Sequence, residues 1–236
     1  MRSRALEHTY ARANWGLKFR PDANTVLWLP GQDDPQSATI RDRSGKGNDG
    51  AITGATWAQT GQGLWYLVLD GTDDYVTVTD SPSLDITAAI TLKAWVYSGD
   101  VTRAAQSIIA KTTNWGTDGA YEMRFQGDNL RFGFYNGAFK NYTGGFSHVN
   151  NTWYHLVATY NSARIELYSN TAQEIGSAIV SSLVPDNADV QIGVNNQAGL
   201  SNDLLGRIAL VEIHNKAWTL QEVINSREQE RHLFGV

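Results

Sequence analysis

The residues best suited to chemistry are polar side chains that alternate with apolar ones along three short segments. In segments 121–126, 130–135 and 190–195 every second residue is apolar, so the residues between them point to the opposite face of a strand. Charged and amide groups beside an aromatic ring suit a sugar, which needs hydrogen bonds for its hydroxyls and a ring for its C–H face. The predicted ligand-binding residues of this face are Glu122, Arg124, Arg131, Tyr135, Gln191 and Asn195. The alternative is a sheet face that only meets solvent.

An aromatic-rich stretch follows the second of these segments. Residues 132–146 contain six Phe or Tyr residues among four glycines. Such a stretch is either a binding surface or a packed flap, and we expect a surface, with Tyr142 at the rim of the polar face. Trp115, in the loop 112–118, is predicted as a second aromatic residue of that rim.

Composition favours one β-rich domain. The 236 residues include 22 glycines and 11% aromatic residues, a mixture that raises strand and turn content. The net charge of −5 argues against a nucleic-acid partner, because phosphate binding needs clustered positive charge. The absence of cysteine excludes disulfides and thiolate metal sites. The sequence has no apolar run long enough for a transmembrane segment.

The chain reads as many short strands between two helical ends. Eleven segments with strand character lie between residues 25 and 213, and their spacing predicts an all-β sandwich or jelly roll. Residues 1–24 are predicted to form a basic N-terminal arm with a helix at 3–18, and they lack the apolar core of a secretory signal. Thr219 and Glu222 form a capping-box pair, which predicts a C-terminal helix over 219–232 that closes one end of the sandwich.

Six motifs in order resemble the laminin-G-like, concanavalin A-like jelly-roll family. They are DRSGKGNDG at 42–50, LDGTDDYV at 69–76, SPSLD at 81–85, ITLKAWV at 90–96, NTWYHLVATY at 151–160 and GRI at 206–208. The resemblance implies a two-sheet antiparallel jelly-roll sandwich over residues 25–236. Within it we interpret Trp95, Trp153 and His155 as structural residues.

The resemblance also implies a calcium site. Many relatives bind one Ca²⁺ near the Asp-Gly-x-Asp-Asp loop, and this ion prefers oxygen ligands. The residues that would supply them here are Asp42, Asn48, Asp70, Asp73 and Asp74. Ala209 and Leu210 replace two acidic residues common in the family's closing strand, which weakens the expectation. The alternative is a loop tied only by bonds between carboxylates and backbone amides.

Catalysis is not expected. Glucanases with a similar jelly roll place paired acids in an E-x-D-x-x-E pattern, since retaining hydrolysis needs two carboxylates about 5 Å apart. The sequence has no such triplet. Glu212 and His214 share a strand face, but they lack a nucleophile.

Two functions remain open. The first is a non-catalytic recognition module that binds a glycan or another surface ligand. The second is a virion decoration or tail protein, in which the basic arm docks onto capsid or tail proteins. Both predict an extracellular or virion-surface location, and both allow an oligomer.

Overall fold

A computed structural model describes residues 21–112, 119–196 and 201–236, and within them it confirms the all-β class. The predicted helix at 3–18 lies outside the described residues. The described strands, numbered β1–β16 in chain order, form two antiparallel sheets. No described helix is both long and apolar enough to cross a membrane.

The first sheet has eight strands, with β16 at its centre. The order is β14-β13-β12-β7-β16-β5-β4, and β1 pairs with the second half of β16. Its strands are β1 (Thr25–Leu29), β4 (Thr56–Gln59), β5 (Trp65–Asp70), β7 (Ile90–Ser98), β12 (Trp153–Tyr160), β13 (Arg164–Ser169), β14 (Ala172–Ala178) and β16 (Leu205–His214).

The second sheet also has eight strands and carries most of the predicted site. Its order is β11-β10-β9-β8-β15-β6-β3-β2. Its strands are β2 (Thr39–Ile40), β3 (Gly50–Thr53), β6 (Tyr75–Val78), β8 (Gln106–Lys111), β9 (Tyr121–Gln126), β10 (Asn129–Tyr135), β11 (Phe139–Thr143) and β15 (Val190–Ile192).

The core lies between the inward faces of the two sheets. Phe134 of β10 packs against Tyr160 of β12 with ring centroids 4.7 Å apart, and Phe132 stacks on the same ring. These side chains are fully buried, as are Met123 and Phe125 of β9. Since neighbours along a strand point to opposite faces, this fixes the remaining side chains of β9 and β10 on the outer face.

The C-terminal helix lies across the outer face of the first sheet, so the prediction that it closes one end of the sandwich was wrong. Helix α1 spans Leu220–Glu230 and begins with the predicted capping box of Thr219 and Glu222. Val223 packs against Val157 and Tyr168, which belong to the outer faces of β12 and β13. The helix lies there because this face carries bulky side chains that must be covered.

A short 3₁₀ helix, Arg231–Phe234, extends this cover. Phe234 stacks on Trp95 of β7 with ring centroids 4.1 Å apart. Trp95 is fully buried and donates a hydrogen bond from Nε1 to Glu230 Oε2, at 2.6 Å. The sequence interpretation of Trp95 as a structural residue is confirmed.

Candidate functional site

The candidate site is the outer face of strands β9 and β10, which we call the arginine face: Glu122, Arg124, Gln126, Arg131 and Tyr135, with Phe139 of the neighbouring β11. The ladder places Arg131 directly opposite Arg124, and Gly133 opposite Glu122. Their neighbours along each strand are core residues, so the predicted alternation of these two strands is confirmed.

Three predicted residues of this face are buried rather than exposed. Glu122 is 2% exposed, Gln191 7% and Asn195 0%. Ser107 Oγ donates to Glu122 Oε1 at 3.1 Å, and Asn195 Nδ2 donates to the same oxygen at 3.0 Å. Gln191 is outside this network, and its Oε1 accepts a hydrogen bond from Thr77 Oγ1 at 3.0 Å. Burial of these polar groups is tolerated because each has a hydrogen-bond partner within the chain. The expectation that they lie exposed was wrong, and ligand binding by them stays a prediction.

Two arginines converge beside this network. Arg124 Nη2 donates to Gln126 Oε1 at 2.8 Å, and Arg131 Nη1 donates to the same oxygen at 3.0 Å. Arg124 Nη1 also lies 3.4 Å from Glu122 Oε2. The two guanidinium groups therefore share one neutral amide oxygen and one carboxylate. This part of the arginine face has an excess of positive charge.

The environment of Arg131 is unfavourable to its charge. Burial and the neighbouring Arg124 together lower the pKa of Arg131 to about 10, while Glu122 opposes the change. Among the described residues, no carboxylate lies within ion-pair distance of Arg131. The guanidinium is charged at neutral pH and incompletely neutralised by the described residues around it.

An aromatic ring that was not among the predicted site residues borders the arginines. The guanidinium carbon of Arg131 lies 4.7 Å from the centroid of Phe139. Phe139 pairs with Tyr135 in the ladder, and its ring crosses over Gly133, where an added Cβ would lie 2.7 Å from the ring. The missing side chain of Gly133 thus makes room for the ring. The aromatic richness of 132–146 was the signal that could have found Phe139.

Tyr142, one of the two predicted rim aromatics, does not extend this face. Tyr142 lies opposite Phe132 in the ladder and hence on the core side of β11, with its hydroxyl 3.3 Å from Glu174 Oε2. The prediction that Tyr142 lies at the rim was wrong, because the register turns its ring towards β14. Trp115 lies outside the described residues.

The predicted metal ligands separate into two groups. Asp70, Asp73 and Asp74 bring one carboxylate oxygen each within 4.8 Å of one another. Burial raises the pKa of Asp74, and the negative charges of Asp70 and Asp73 raise it too, while a bond from the Asp70 amide opposes them. Three clustered carboxylates have the oxygen chemistry that calcium prefers.

Asp42 and Asn48 do not belong to that group. Asp42 accepts hydrogen bonds from the backbone amides of Trp28, Ser44 and Asn48. Asn48 Nδ2 donates to the Val26 carbonyl at 2.7 Å and is 2.8 Å from Ser83 Oγ. The two side chains hydrogen-bond their own loop to β1. This is the pattern expected if the loop is held by hydrogen bonds and not by a metal ion.

Ala209 and Leu210 do not lie beside the three aspartates, although the comparison of motifs implied that they would. Both belong to an apolar cluster with Trp95, Leu233 and Phe234 beneath the 3₁₀ helix. Asp70 pairs with Leu205, four residues before Ala209 on β16, which is about 13 Å along a strand. Their apolar character serves the packing of the C-terminus and gives no argument against calcium at the three aspartates.

Glu212 and His214 are adjacent but enclosed. His214 Nε2 lies 3.0 Å from Glu212 Oε2, and the other oxygen, Oε1, binds Lys93 Nζ at 2.8 Å. Lys93 also binds Glu230 of the covering helix at 2.7 Å. The arrangement is a buried charge network beneath α1, in which Glu212 is held by its neighbours.

Comparison with known proteins gives a clear family. A laminin-G model of the concanavalin A-like lectin/glucanases superfamily matches residues 70–224, more than half of the chain. The chain belongs to this superfamily. No curated protein sequence matches it.

Several solved structures share the fold of this superfamily member at low sequence identity. The binding domain of Paraclostridial Mosquitocidal Protein 1 is 15% identical, with a TM-score of 0.68, over 89% of this chain and 52% of that chain. The botulinum neurotoxin serotype G binding domain is 14% identical, with a TM-score of 0.66, over 86% and 50%.

A third neighbour is the binding domain of botulinum neurotoxin DC in complex with SialylT. It is 13% identical, with a TM-score of 0.64, over 88% of this chain and 52% of that chain. The chain spans about half the length of each of these neighbours. The structural similarity therefore shows the fold alone. It does not show that the binding activity of each neighbour belongs to the half that this chain matches.

Proposed function

We propose that this chain is a non-catalytic glycan-recognition module that binds its ligand on the arginine face. The observation that carries this proposal is the convergence of Arg124 and Arg131 on Gln126 beside the ring of Phe139. Fixed donors next to an aromatic ring are what a sugar requires, since its hydroxyls accept hydrogen bonds and its C–H face packs on a ring.

Two further findings support recognition. The superfamily is named for lectins as well as glucanases, and the structural neighbours described above are binding domains. Glycoside hydrolysis generally needs two carboxyl groups across the scissile bond. Glu122 is the only acidic residue in the strands of the second sheet, and its oxygens are already engaged.

A glycan array followed by titration calorimetry tests the proposal. We expect weak binding, with a Kd of about 10⁻⁶ to 10⁻³ M per site. Tyr135→Ala and Phe139→Ala should each weaken it by about tenfold, in line with the contribution of one aromatic contact.

The matched control is Tyr97→Ala. Tyr97 lies on the first sheet and, like Phe139, has an arginine over its ring, with Arg207 at 4.3 Å from the centroid. The control should leave the Kd unchanged. If no glycan binds, or if the three variants weaken binding equally, the arginine face is not a sugar site, and the assembly function predicted from the sequence becomes the better interpretation.

A further inference from the structure

The arginine face has a charge imbalance that a neutral sugar would not correct. Two guanidinium groups lie beside one carboxylate, in a chain whose overall net charge is −5. We propose that Arg124 and Arg131 together receive the carboxylate of an acidic sugar, so that the module selects glycans with a uronic or sialic acid residue. This inference rests on the proposed function and adds the class of ligand.

The hydrogen-bonding state of Arg131 is the first support. Of its three guanidinium nitrogens, only Nη1 has a hydrogen-bond partner among the described residues, and that partner is the neutral amide oxygen of Gln126. Arg124 Nη2 binds the same oxygen. A carboxylate has two oxygens, so it can accept hydrogen bonds from both guanidinium groups. It also has a full negative charge, and therefore it neutralises the arginines, which the amide oxygen of Gln126 does not.

A comparison with other arginines of the chain gives the second support. Arg43 and Arg231 each have a carboxylate oxygen at 2.7 Å, whereas among the described residues Arg103 binds backbone carbonyls and Arg207 rests on aromatic rings without a carboxylate in ion-pair distance. Arg131 is more enclosed than a free surface arginine, as its lowered pKa indicates, and the largest effect of a neighbouring charge on that pKa comes from another cation, Arg124. If Arg131 had only a structural role, an acidic partner would stabilise it. The neighbouring strands of the second sheet place no acidic residue opposite Arg131.

The position of the cation is also fixed. Phe139 supports the guanidinium of Arg131 from one side at 4.7 Å, and Gln126 holds it from another. Arg124 is 13% exposed in its side chain and is held by Glu122 and Gln126. Since neither arginine must be ordered on binding, the ligand meets donors already in place, which limits the entropic cost of association.

The experiment uses pairs of ligands that differ only in the acidic group. Trigalacturonic acid and 3′-sialyllactose are each compared with their own carboxyl methyl ester by titration calorimetry with the full chain at pH 7. We expect the parent to bind at least one acid form tenfold or more tightly than its neutral partner. In Arg131→Gln and Arg124→Gln this preference should fall to twofold or less, because the acid form loses far more affinity than the neutral sugar does.

Arg207→Gln is the matched control, because Arg207 also rests on aromatic rings but lies on the first sheet. It should keep the full preference, and circular dichroism melting should confirm that all variants are folded. Equal binding of acid and neutral forms by the parent would overturn the carboxylate assignment and leave the proposed function intact. The assignment is also wrong if a sulfated lactose binds while both carboxylated sugars fail. Failure of every sugar would instead overturn the proposed function.

Discussion

Replacement of Lys93 by methionine tests whether the charge network beneath α1 stabilises the fold as its geometry indicates. The Lys93 ammonium is fully buried and lies 2.8 Å from Glu212 and 2.7 Å from Glu230, whose side chains are 0% and 4% exposed. Methionine has a similar length, so packing is largely kept. The change removes the ammonium group that two buried carboxylates share, which costs about 3–5 kcal/mol in comparable buried pairs.

The cost should depend on pH because Glu230 titrates in the accessible range. Burial, together with the negative charge of Glu212, raises the pKa of Glu230 from 4.5 to about 7, although the charge of Lys93 opposes the rise. A raised carboxyl pKa means that the folded chain binds a proton that the unfolded chain has lost between about pH 4.5 and 7, so this group's contribution to stability falls as pH rises through that interval. At pH 5 Glu230 is protonated, and the loss of Lys93 should cost less than at pH 8.

Urea unfolding followed by tryptophan fluorescence at pH 5 and pH 8 measures the effect. We expect the variant to lose about 4 kcal/mol at pH 8, or about 10 °C in melting temperature for a chain of this size, and clearly less at pH 5. Burial and the charges of Lys93 and Arg227 hold the pKa of His155 well below its usual value, so removal of Lys93 eases protonation of His155 and also reduces the cost of the substitution at low pH. Lys46→Met, at an exposed lysine, is the control. A loss below 1 kcal/mol, or an equal loss at both pH values, would refute this reasoning.

Three further predictions concern separate parts of the chain. If the three clustered aspartates bind calcium, chelator should lower the melting temperature of the parent and have no effect on Asp74→Asn; a parent unchanged by chelator would favour the loop without metal. Thr219→Ala should destabilise the protein by about 1 kcal/mol through loss of the capping box, measured by urea unfolding, and a change within error would contradict that role. Deletion of residues 1–20 should leave melting nearly unchanged but abolish oligomerisation or docking, followed by light scattering; a large loss of stability with an intact oligomer would show that the arm packs on its own domain.

The sequence predicted the strands that have one clear apolar face and missed those that do not. The segments that became β1, β9 and β12 were predicted with the observed bounds, because each alternates or is continuously apolar. In contrast, β14 (Ala172–Ala178) and β11 (Phe139–Thr143) were missed. Both are edge strands with largely exposed residues, so burial leaves no periodic pattern in their sequence.

The site was predictable in orientation but not in burial. Alternation correctly turned Glu122 and Arg131 to the outer face. The partners of Glu122 could not be found in the same way, since Asn195 is 73 residues away in the chain and reaches it only through the fold. The position of Tyr142 depended on the register of a strand that sequence patterns had not identified. Long-range register and contacts are set by tertiary packing, which local periodicity does not contain.

Lys93 and Arg131 lie on the two outer faces of the sandwich and differ in how their charges are neutralised, and this difference leads to a last prediction. On the first sheet Lys93 has two carboxylates of its own chain, whereas on the second sheet Arg131 shares one amide oxygen with Arg124. An enclosed cation without a neighbouring anion lowers the stability of the ligand-free protein. Such a loss of stability is typical of binding sites, where function is favoured over stability. Arg131→Met keeps the apolar stem on Phe139 and removes the charge. It should raise the melting temperature by about 1–3 °C while abolishing the preference for acidic sugars. Differential scanning calorimetry of the free and sugar-saturated protein measures both effects. A lower melting temperature for the free variant would mean that the guanidinium stabilises the fold by itself, and the argument from its missing anion would fail.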